Sequence, residues 1–533
     1  MALRNRMTVS FSWKSILKTL VIALLPYILY RTYEYIILRS RRRRCAASKG
    51  CQPPFHLPIR DPFFGLDFIW GIYRSLIKHT SLEDMRQHYI QHGVNTIMIN
   101  QIGPSAVSTI EPENVKCVLS TNFHDWEIGP IRKKGLGWFL GDGIFTSDGA
   151  AWHRSRELLR PSFARAQISD PELFEGHARS LVEALPKDGT TMVDLQPLFF
   201  QASLDIATDF LFGRSTNTLS KQPEREAAPG LNGVEVKKFI EAWDGVQEAF
   251  QPKESTFGFL SLFFFDWFQG PKVRTINEFV DGIVEQANKD RPEAQQNSSD
   301  RSHKYVFLQE LLERTQDRKQ IRAELLSSLL AGRDTTASLL SNVWFELSRR
   351  PAIWSKLQDE VSIMSSGRPT FEEIKSMKYL QAILNESLRL YPVVPDNARI
   401  AARDTILPVG GGPLGTAPIF VKKGEIAHWS LWAMHRRKEI YGEDAEEFKP
   451  ERWLDKADGK GLRVGWEYLP FNGGPRICIG QQFALMEVAW VTAWMAREFE
   501  GIESRDDEPW REKVALTCTG LGGCKVVLIP RGQ

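Results

Sequence analysis

The order of apolar and polar residues along the chain predicts helices over most of its length. Apolar pairs recur at helical spacing inside the run from Arg318 to Arg349, at Leu325/Leu326, Leu329/Leu330, Leu339/Leu340 and Val343/Trp344. A shorter helical pattern, AWHRSRELLR, is followed by Pro161, which cannot continue a helix. Strand-like pieces are fewer and lie at 94–99, 418–421 and 525–529. The pattern therefore predicts a mainly α fold with a minor β-sheet portion (α+β).

The most apolar stretch of the chain lies near its start. Residues 16–38 contain the runs ILKTLVIALLPYILY and YIIL, and a helix needs about 20 residues to cross a hydrocarbon core. Arginines follow at 41–44, and basic residues beside a span favour a cytosolic position for the next domain. We therefore predict a single-pass anchor. An amphipathic helix in the membrane interface is the alternative, because Lys18, Arg31 and Glu34 interrupt the apolar run.

The rest of the chain shows no internal boundary. We predict an N-terminal segment at 1–38 that holds the anchor, and a basic, proline-rich linker at 39–66. The remaining residues, 67–533, contain no repeat and no long low-complexity stretch. They are predicted to form one large catalytic domain, although a length of 533 residues alone would suggest three or four domains.

Composition and charge exclude several classes of protein. The chain is 42% hydrophobic and 25% charged, which rules out a disordered, collagen-like or coiled-coil protein. A net charge of +3 provides no general field for binding polyanions. Its 6 cysteines are too sparse for a disulfide scaffold, so a reducing compartment is favoured and a single cysteine in a special context becomes interesting.

Cys478 has that special context. It lies in FNGGPRICIG, whose pattern F-x-x-G-x-R-x-C-x-G combines flexible glycines, a fork-shaped arginine donor and one thiol. The helical run that follows has an N-terminal dipole that favours an ionised sulfur. A cysteine with no second cysteine or histidine nearby is a poor zinc site. It is well suited to be the single axial thiolate of a haem iron.

A second motif, AGRDTT at 331–336, interrupts the apolar pattern of the long helical run. Gly332 costs a helix interior about 1 kcal/mol relative to alanine, so its presence there needs a reason. Asp334 and Thr335 add a carboxyl and a hydroxyl group beside it. Taken alone, the segment also fits an ordinary solvated helix face.

Together these motifs resemble the cytochrome P450 family of haem-thiolate monooxygenases. The resemblance implies that the protein binds haem b, iron protoporphyrin IX, with Cys478 as the ligand of the metal. It also implies that Asp334 and Thr335 relay protons to bound dioxygen. Further residues of the cysteine loop implied to bind the cofactor are Phe471, Gly474, Arg476 and Gly480.

Three residues outside the loop match positions at which the family contacts the haem propionates. Trp152 and Arg156 in AWHRSR match its W-x-x-x-R helix, and Arg399 in NARIA matches a sheet arginine more loosely. Neighbouring arginines form either a solvated basic edge or a docking surface for an acidic electron donor; they are Arg154, Arg160 and Arg165.

The resemblance also implies a structural triad of Glu386, Arg389 and Arg452. The pattern E-x-x-R alone is weak, because it recurs elsewhere in the chain, at 83–86, 157–160, 346–349 and 508–511. Context selects 386–389, which precedes FKPERW at 448–453 and the cysteine loop. In the family, such a buried ion-paired network holds the loop that carries the thiolate.

Within the family, the segments AGRDTTASLLS and VPDNARIAARDTILPVGGG are most similar to fungal microsomal hydroxylases of n-alkanes and fatty acids. That similarity implies terminal hydroxylation of such a chain by an enzyme of the endoplasmic reticulum membrane. The length leaves no room for a fused reductase, so electrons from NADPH would come through a separate flavoprotein. NADPH–cytochrome P450 reductase is the implied partner, with cytochrome b5 as a further candidate, and no nucleic acid is expected to bind.

Other functions remain open at this point. A monooxygenase of secondary metabolism or of xenobiotics would show the same motifs. A haem-thiolate isomerase or dehydratase, or a non-enzymatic haem-binding protein, would not need the intact pair Asp334 and Thr335. We expect the substrate pocket to draw on 120–146, Val393, Val394 and 516–523. The aromatic segment 256–268 fits an entry path, a contact with the membrane or a core position.

Two motifs are predicted not to function. Gly410, Gly412 and Gly415 satisfy G-x-G-x-x-G, but Pro413 lies inside and no helix follows, as a dinucleotide site requires. The segment is therefore predicted to be a loop between strands. Asn297 begins a glycosylation sequon that is expected to stay unmodified in a cytosolic domain.

Overall fold

The computed structural model describes residues 13–61, 65–101, 103–163, 171–220, 233–256, 269–296, 306–364, 369–454, 462 and 465–532. Expectations for Arg165, Asn297 and 257–268 lie outside the described residues. The helices are α1 (Trp13–Ser48), α2 (Leu66–Lys78), α3 (Ser81–His92), α4 (Pro112–Lys116), α5 (Gly129–Leu140), α6 (Gly149–Leu159), α7 (Pro171–Ala184), α8 (Leu195–Phe212), α9 (Gly233–Thr256), α10 (Gly270–Gln296), α11 (Phe307–Arg314), α12 (Arg318–Leu347), α13 (Pro351–Ser362), α14 (Phe371–Ser376), α15 (Lys378–Leu390), α16 (Leu431–Met434), α17 (Lys438–Tyr441) and α18 (Gln481–Glu498).

The strands are short and confirm the minor β portion. They are β1 (Phe55–His56), β2 (Thr96–Ile99), β3 (Ala106–Thr109), β4 (Trp126–Glu127), β5 (Met192–Asp194), β6 (Asp396–Ala401), β7 (Thr405–Gly411), β8 (Ala417–Val421), β9 (Ile426–Ser430), β10 (Phe499–Ser504), β11 (Glu512–Val514), β12 (Cys518–Gly520) and β13 (Lys525–Pro530). A mixed sheet has the order β1-β2-β3-β9-β6-β4, and smaller sheets pair β10-β13-β5, β11-β12 and β7-β8.

The long helix α12 runs through the centre of the helical body. It packs along α8 and also contacts α10, α15 and α18. The Asp317 carboxylate caps its start by accepting from the backbone N–H groups of Lys319 and Gln320, at 3.0 and 3.3 Å. The helix ends at Leu347, two residues earlier than predicted, and Pro351 occupies the first position of α13, where it needs no donor.

The predicted linker at 39–66 is partly helical and makes contacts with the sheets. Residues 39–48 are the last turns of α1, and the Arg42 guanidinium forms two hydrogen bonds to Asp404, at 2.8 and 2.9 Å. The Gln52 N–H then donates to the Pro418 carbonyl at 2.8 Å, and β1 pairs in parallel with β2. These bonds fix the segment to the sheets, so it is not a free spacer.

The helix α1 covers the whole predicted anchor. In the part of the chain that the structure describes, no helix contains a stretch of 18 residues apolar enough to cross a membrane.

The glycine motif at 410–415 forms the turn between β7 and β8, as a loop between strands. Gly410 has φ 104°, a conformation that side chains rarely adopt. A Cβ atom there would lie 2.6 Å from Cβ of Thr96, so the hairpin approaches β2 closely only because the position has no side chain.

The structure brings the three residues of the predicted triad together in a buried network. Glu386 is completely buried on α15, and its two oxygens accept from Nε of Arg389 and Nε of Arg452, each at 2.8 Å. Trp453 Nε1 and the Lys449 N–H also donate to this carboxylate, at 2.9 and 2.8 Å. A buried charge this well supplied with donors is stable, but only while every partner remains.

We expect Glu386→Gln to lower the free energy of unfolding by about 3–5 kcal/mol, because it leaves two buried guanidinium groups without their anion. The midpoint of urea unfolding would measure this loss. The matched control is Arg314→Ala, which breaks an exposed ion pair with Glu310 on α11 and should cost no more than about 1 kcal/mol. Equal midpoints for the two variants would contradict a supporting role for the triad.

Candidate active site

A large cavity lies between α12 and the loop that precedes α18. Its volume is about 1260 Å³, and its walls include Thr335 on one side and Cys478 on the other. Most of the lining side chains are apolar, among them Leu136, Phe145, Phe210, Leu339, Val393, Val394 and Leu516. Pockets for drug-sized ligands measure about 300–1,000 Å³, so this cavity has room for more than one small molecule.

The cysteine loop is a tight turn that presents the Cys478 thiol to the cavity. The Cys478 N–H donates to the Phe471 carbonyl at 2.9 Å, which closes the turn. Gly474 has φ 66°, and a Cβ atom there would lie only 1.9 Å from the Leu119 carbonyl oxygen. Only glycine can therefore hold this loop against the π-helical segment Cys117–Thr121.

The thiol is enclosed by protein but open to the cavity. Burial raises the pKa of Cys478 above its usual value, while the Gly480 N–H and the Arg156 guanidinium act in the opposite direction. A thiol of this kind loses its proton outright when it coordinates a metal ion.

Guanidinium groups crowd one edge of the cavity. Arg399 is buried, and its pKa is lowered well below the usual value by burial and by the charges of Arg132 and Arg476. It donates to neutral oxygens, the Ala398 carbonyl at 2.7 Å and the Asn397 amide at 3.1 Å. This edge therefore carries an excess of buried positive charge, which a bound dianion would neutralise.

Arg476 connects that edge to α6. It forms an ion pair with Asp148 at 2.7 Å, and its guanidinium lies 4.3 Å from the centre of the Trp152 ring. Burial lowers the pKa of Arg476 to about 10. Arg156, one turn after Trp152, donates to the Ile477 carbonyl at 3.1 Å, beside the thiol.

The donor set fits haem. One thiol is exposed to the cavity, and the arginine-rich edge offers the positive charge that two propionates require. Neither feature suits a zinc ion, and the described residues contain no cluster of metal-binding side chains.

Comparison with known proteins agrees with this geometry. Residues 68–519 match the family model described as Cytochrome P450. The chain belongs to the cytochrome P450 family. It is 40% identical to "Cytochrome P450 monooxygenase himC" of Aspergillus japonicus over 92% of this chain and 86% of that protein. It is 37% identical to "Cytochrome P450 52A12" of Debaryomyces hansenii over 97% of this chain and 98% of the relative.

A solved structure supports the fold independently. The crystal structure of the cytochrome P450DA heme domain superposes with a TM-score of 0.70 at 20% identity, over 90% of this chain and 99% of that chain. The protein is thus a cytochrome P450 monooxygenase that uses haem b and electrons from a redox partner.

The structure of this P450 places most of the predicted site residues on the one cavity. Its lining includes Trp152, Arg156, Thr335, Arg399, Phe471, Arg476, Cys478 and Gly480. Gly474 belongs to the cysteine loop and permits its turn, but it does not line the cavity. Asp334 is also absent from the lining, although it is the neighbour of Thr335 along α12.

Asp334 points into the packing between helices, away from the solvated face that was one reading of AGRDTT. It is buried, and its carboxylate accepts from Gln247 Nε2 at 2.7 Å and from Arg333 Nη1 at 3.1 Å. Burial raises its pKa to about 6, against the opposing charge of Arg333. Arg333 in turn forms an ion pair at 2.8 Å with Asp244, whose side chain is half-exposed.

Two buried glutamates beside the site escaped the sequence reading. Glu487 on α18 accepts from Ser203 Oγ at 2.8 Å, and burial raises its pKa to about 8. Burial raises the pKa of Glu324 on α12 to about 7. Each is a lone acid within an apolar helical run, and that pattern would have been the signal.

The pocket expectation is met only in part. Val393 and Val394 line the cavity, and so do several residues of 120–146, but 516–523 contributes only Leu516 and Thr517. Two further walls of the cavity, supplied by α2 and α3, were not predicted. Their lining residues are Phe68, Ile69, Ile72, Leu76, Met85 and His88.

We expect the reduced, carbon-monoxide-bound haem protein to show the strongly red-shifted Soret band of thiolate ligation. Cys478→His should move that band to the position of an imidazole-ligated haem. Cys117→Ser, which alters a buried thiol outside the cavity lining, should leave it in place. A wild-type band at the imidazole position would exclude Cys478 as the ligand.

Proposed function

We propose that this P450 hydroxylates the terminal carbon of an n-alkane or a fatty acid. The observation that carries the proposal is the apolar cavity, which extends from Cys478 and Thr335 to the walls formed by α2 and α3. Burial of each methylene contributes about 0.8 kcal/mol, so a long chain gains binding energy along such a lining.

In this proposal each side chain of the site has a defined task. Cys478 would bind the haem iron, and Arg399, Arg476, Trp152 and Arg156 would hold the propionates. Haem, when bound, supplies the activation of dioxygen and the attack on the C–H bond. The apolar walls exclude water and position the chain.

Asp334 and Thr335 supply protons from two sides of α12. The Thr335 hydroxyl lies at the cavity and donates to the Ala331 carbonyl of its own helix. Burial raises the pKa of Asp334 to about 6, so this carboxyl can exchange protons close to neutral pH, and ion pairs with Arg333 hold it near the half-exposed Asp244. A hydrated connection past α12 would complete this route.

Electrons come, in this proposal, from NADPH–cytochrome P450 reductase, with cytochrome b5 as a further donor. Arg154 on α6 and Arg160, which directly follows that helix, are both exposed, and α6 also carries Trp152 and Arg156. An acidic partner that docks there would approach the haem edge closely, and its association would weaken as salt is added.

We also propose that α1 anchors the enzyme as a single span in the endoplasmic reticulum membrane, with the domain 67–533 in the cytosol. Support comes from the large apolar side chains that α1 exposes, which are Leu25, Tyr27, Leu29, Tyr30, Tyr33, Tyr35, Ile36 and Leu38. Arginines 41–44 follow on the same helix.

Reconstituted with the reductase and NADPH, the enzyme should convert dodecane to 1-dodecanol or dodecanoate to the terminal hydroxy acid, identified by mass spectrometry. Small aromatic molecules should react far more slowly, because they bury less apolar surface. Preferred oxidation of a compact aromatic substrate would contradict the proposed substrate class.

The matched variants for that assay are Thr335→Ala and Thr335→Ser. Thr335→Ala should continue to consume NADPH while alcohol formed per NADPH falls by about tenfold or more, since positioned proton transfer contributes about 10²–10⁴-fold. Thr335→Ser keeps the hydroxyl and should retain coupling. Unchanged coupling in Thr335→Ala would remove this residue from proton delivery.

The anchor predicts that the full chain stays with microsomes in alkaline carbonate, whereas the chain without 1–38 is recovered in the supernatant. Release of the full chain by carbonate would show a peripheral helix instead. Protection of the catalytic domain from added protease would contradict its cytosolic position.

A further inference from the structure

One amide oxygen at the arginine-rich edge of the cavity accepts three hydrogen bonds. Oδ1 of Asn397, on β6, accepts from Nη2 of Arg132 at 2.8 Å and from Nη1 of Arg399 at 3.1 Å. It also accepts from the Ala398 N–H at 2.9 Å. All three partners can only donate, so the shared atom must be the oxygen of the amide and not its nitrogen. Asn397 therefore connects a side chain of α5 to one of β6.

Arg132 is a further cation of this edge. It lies near the start of α5 and lines the cavity, as Asn397 and Arg399 do. Burial lowers the pKa of Arg399, and the charge of Arg132 is the next-largest cause. The charge of Arg132 also lowers the pKa of Arg476, after the larger effect of burial. The guanidinium of Arg132 thus stands close to both of these buried cations.

The start of α5 is fixed to the same edge by backbone contacts. The Asp148 carboxylate accepts from the N–H groups of Ile128 and Gly129, at 3.0 and 3.1 Å, and also pairs with Arg476. These bonds direct the first residues of α5 towards the cysteine loop. Arg132 follows at once, so the helix delivers its side chain to the place where the propionates would bind.

The absence of charge on Asn397 matters for what this arrangement can do. A carboxylate at the same position would orient the two guanidinium groups equally well, but it would also cancel part of their charge, as Asp148 does for Arg476. An amide oxygen orients Arg132 and Arg399 without neutralising either. Holding two like charges together costs free energy, and a bound anion offsets that cost.

We propose that Arg132 is a further haem-binding residue, and that Asn397 is the positioning residue that holds it beside Arg399. The propionates then join β6 to α5, the helix whose Ile131 and Leu136 form part of the cavity wall. The inference concerns the cofactor alone and does not depend on which substrate the enzyme takes.

The test is the rate at which the holoenzyme loses haem to an excess of apomyoglobin, followed by the absorbance of the myoglobin formed. Arg132→Gln should lose haem about tenfold faster than the wild type, the ratio that about 1.4 kcal/mol gives. The matched control is Lys133→Gln, which removes the same charge from the next residue of α5. Lys133 is exposed, pairs with Asp142 at 3.4 Å and lies outside the cavity lining, so this variant should keep the wild-type rate.

Asn397→Asp separates positioning from simple support of the fold. The variant keeps the shape and the acceptor, so a merely structural residue would tolerate it. We expect haem loss to become about tenfold faster, because the new carboxylate pairs with the guanidinium groups and repels the propionates. In the Asn397→Asp background, Arg132→Gln should add little further loss, since the charge it removes is already neutralised.

Before transfer begins, every variant should show the thiolate Soret band in its reduced, carbon-monoxide-bound form, so that differences in rate do not arise at Cys478. Equal rates for Arg132→Gln and Lys133→Gln would show that Arg132 does not bind the cofactor. Wild-type haem retention in Asn397→Asp, or additive effects in the double variant, would overturn the role of Asn397. Arg132 is only half-buried, so Arg132→Gln decides the cofactor contact even if Asn397→Asp accumulates without haem.

Discussion

The buried carboxylate of Glu386 connects α15 to the segment that leads to the cysteine loop. Removing its charge from water costs free energy. Hydrogen-bond donors from distant parts of the chain offset that desolvation. The turn Pro450–Trp453 is thereby fixed to α15. Tyr468 extends the connection, since its hydroxyl donates to the Asn385 carbonyl at 3.0 Å. The cysteine loop begins three residues after Tyr468, so the same network holds its start in place.

Hydrogen bonds also hold the charged side chains of the site in fixed positions. Arg399 and Arg476 are held by neutral carbonyls, an amide and Asp148, so their positions are set before any dianion arrives. Prepositioned charges need no reorganisation when the cofactor binds. The positive charge at this edge of the cavity is therefore positioned by the protein alone.

Much of the fold was predictable because its signals are local. Apolar periodicity indicated α12, and glycine spacing indicated the cysteine loop, where Gly474 has no steric alternative. The helical character of 39–48 was less accessible, since basic residues and a following proline cluster are also typical of linkers. The bonds of Arg42 and Gln52 to partners more than 350 residues away could not be inferred from local pattern.

The residues of the site were predictable from the sequence, but their surroundings were not. Motifs indicated which residues surround the cofactor, but not the direction in which each side chain points. Adjacent helical positions differ by about 100°, so Asp334 and Thr335 were bound to face different surroundings. The environments of Glu487 and Glu324 depend on what other helices and strands place beside them. A single sequence contains those residues without revealing that they are enclosed.

The ion pair between Arg42 and Asp404 gives the N-terminal helix a mechanical role. Its side chains are 27% and 35% exposed, so it contributes little to stability and salt can loosen it. While it is closed, it joins α1 to the turn that leads into β7. In the proposed membrane-anchored protein, this contact would limit how far the body can rotate relative to α1. Opening the pair would leave the Gln52–Pro418 hydrogen bond and the pairing of β1 with β2 as the remaining connections of this segment to the sheets.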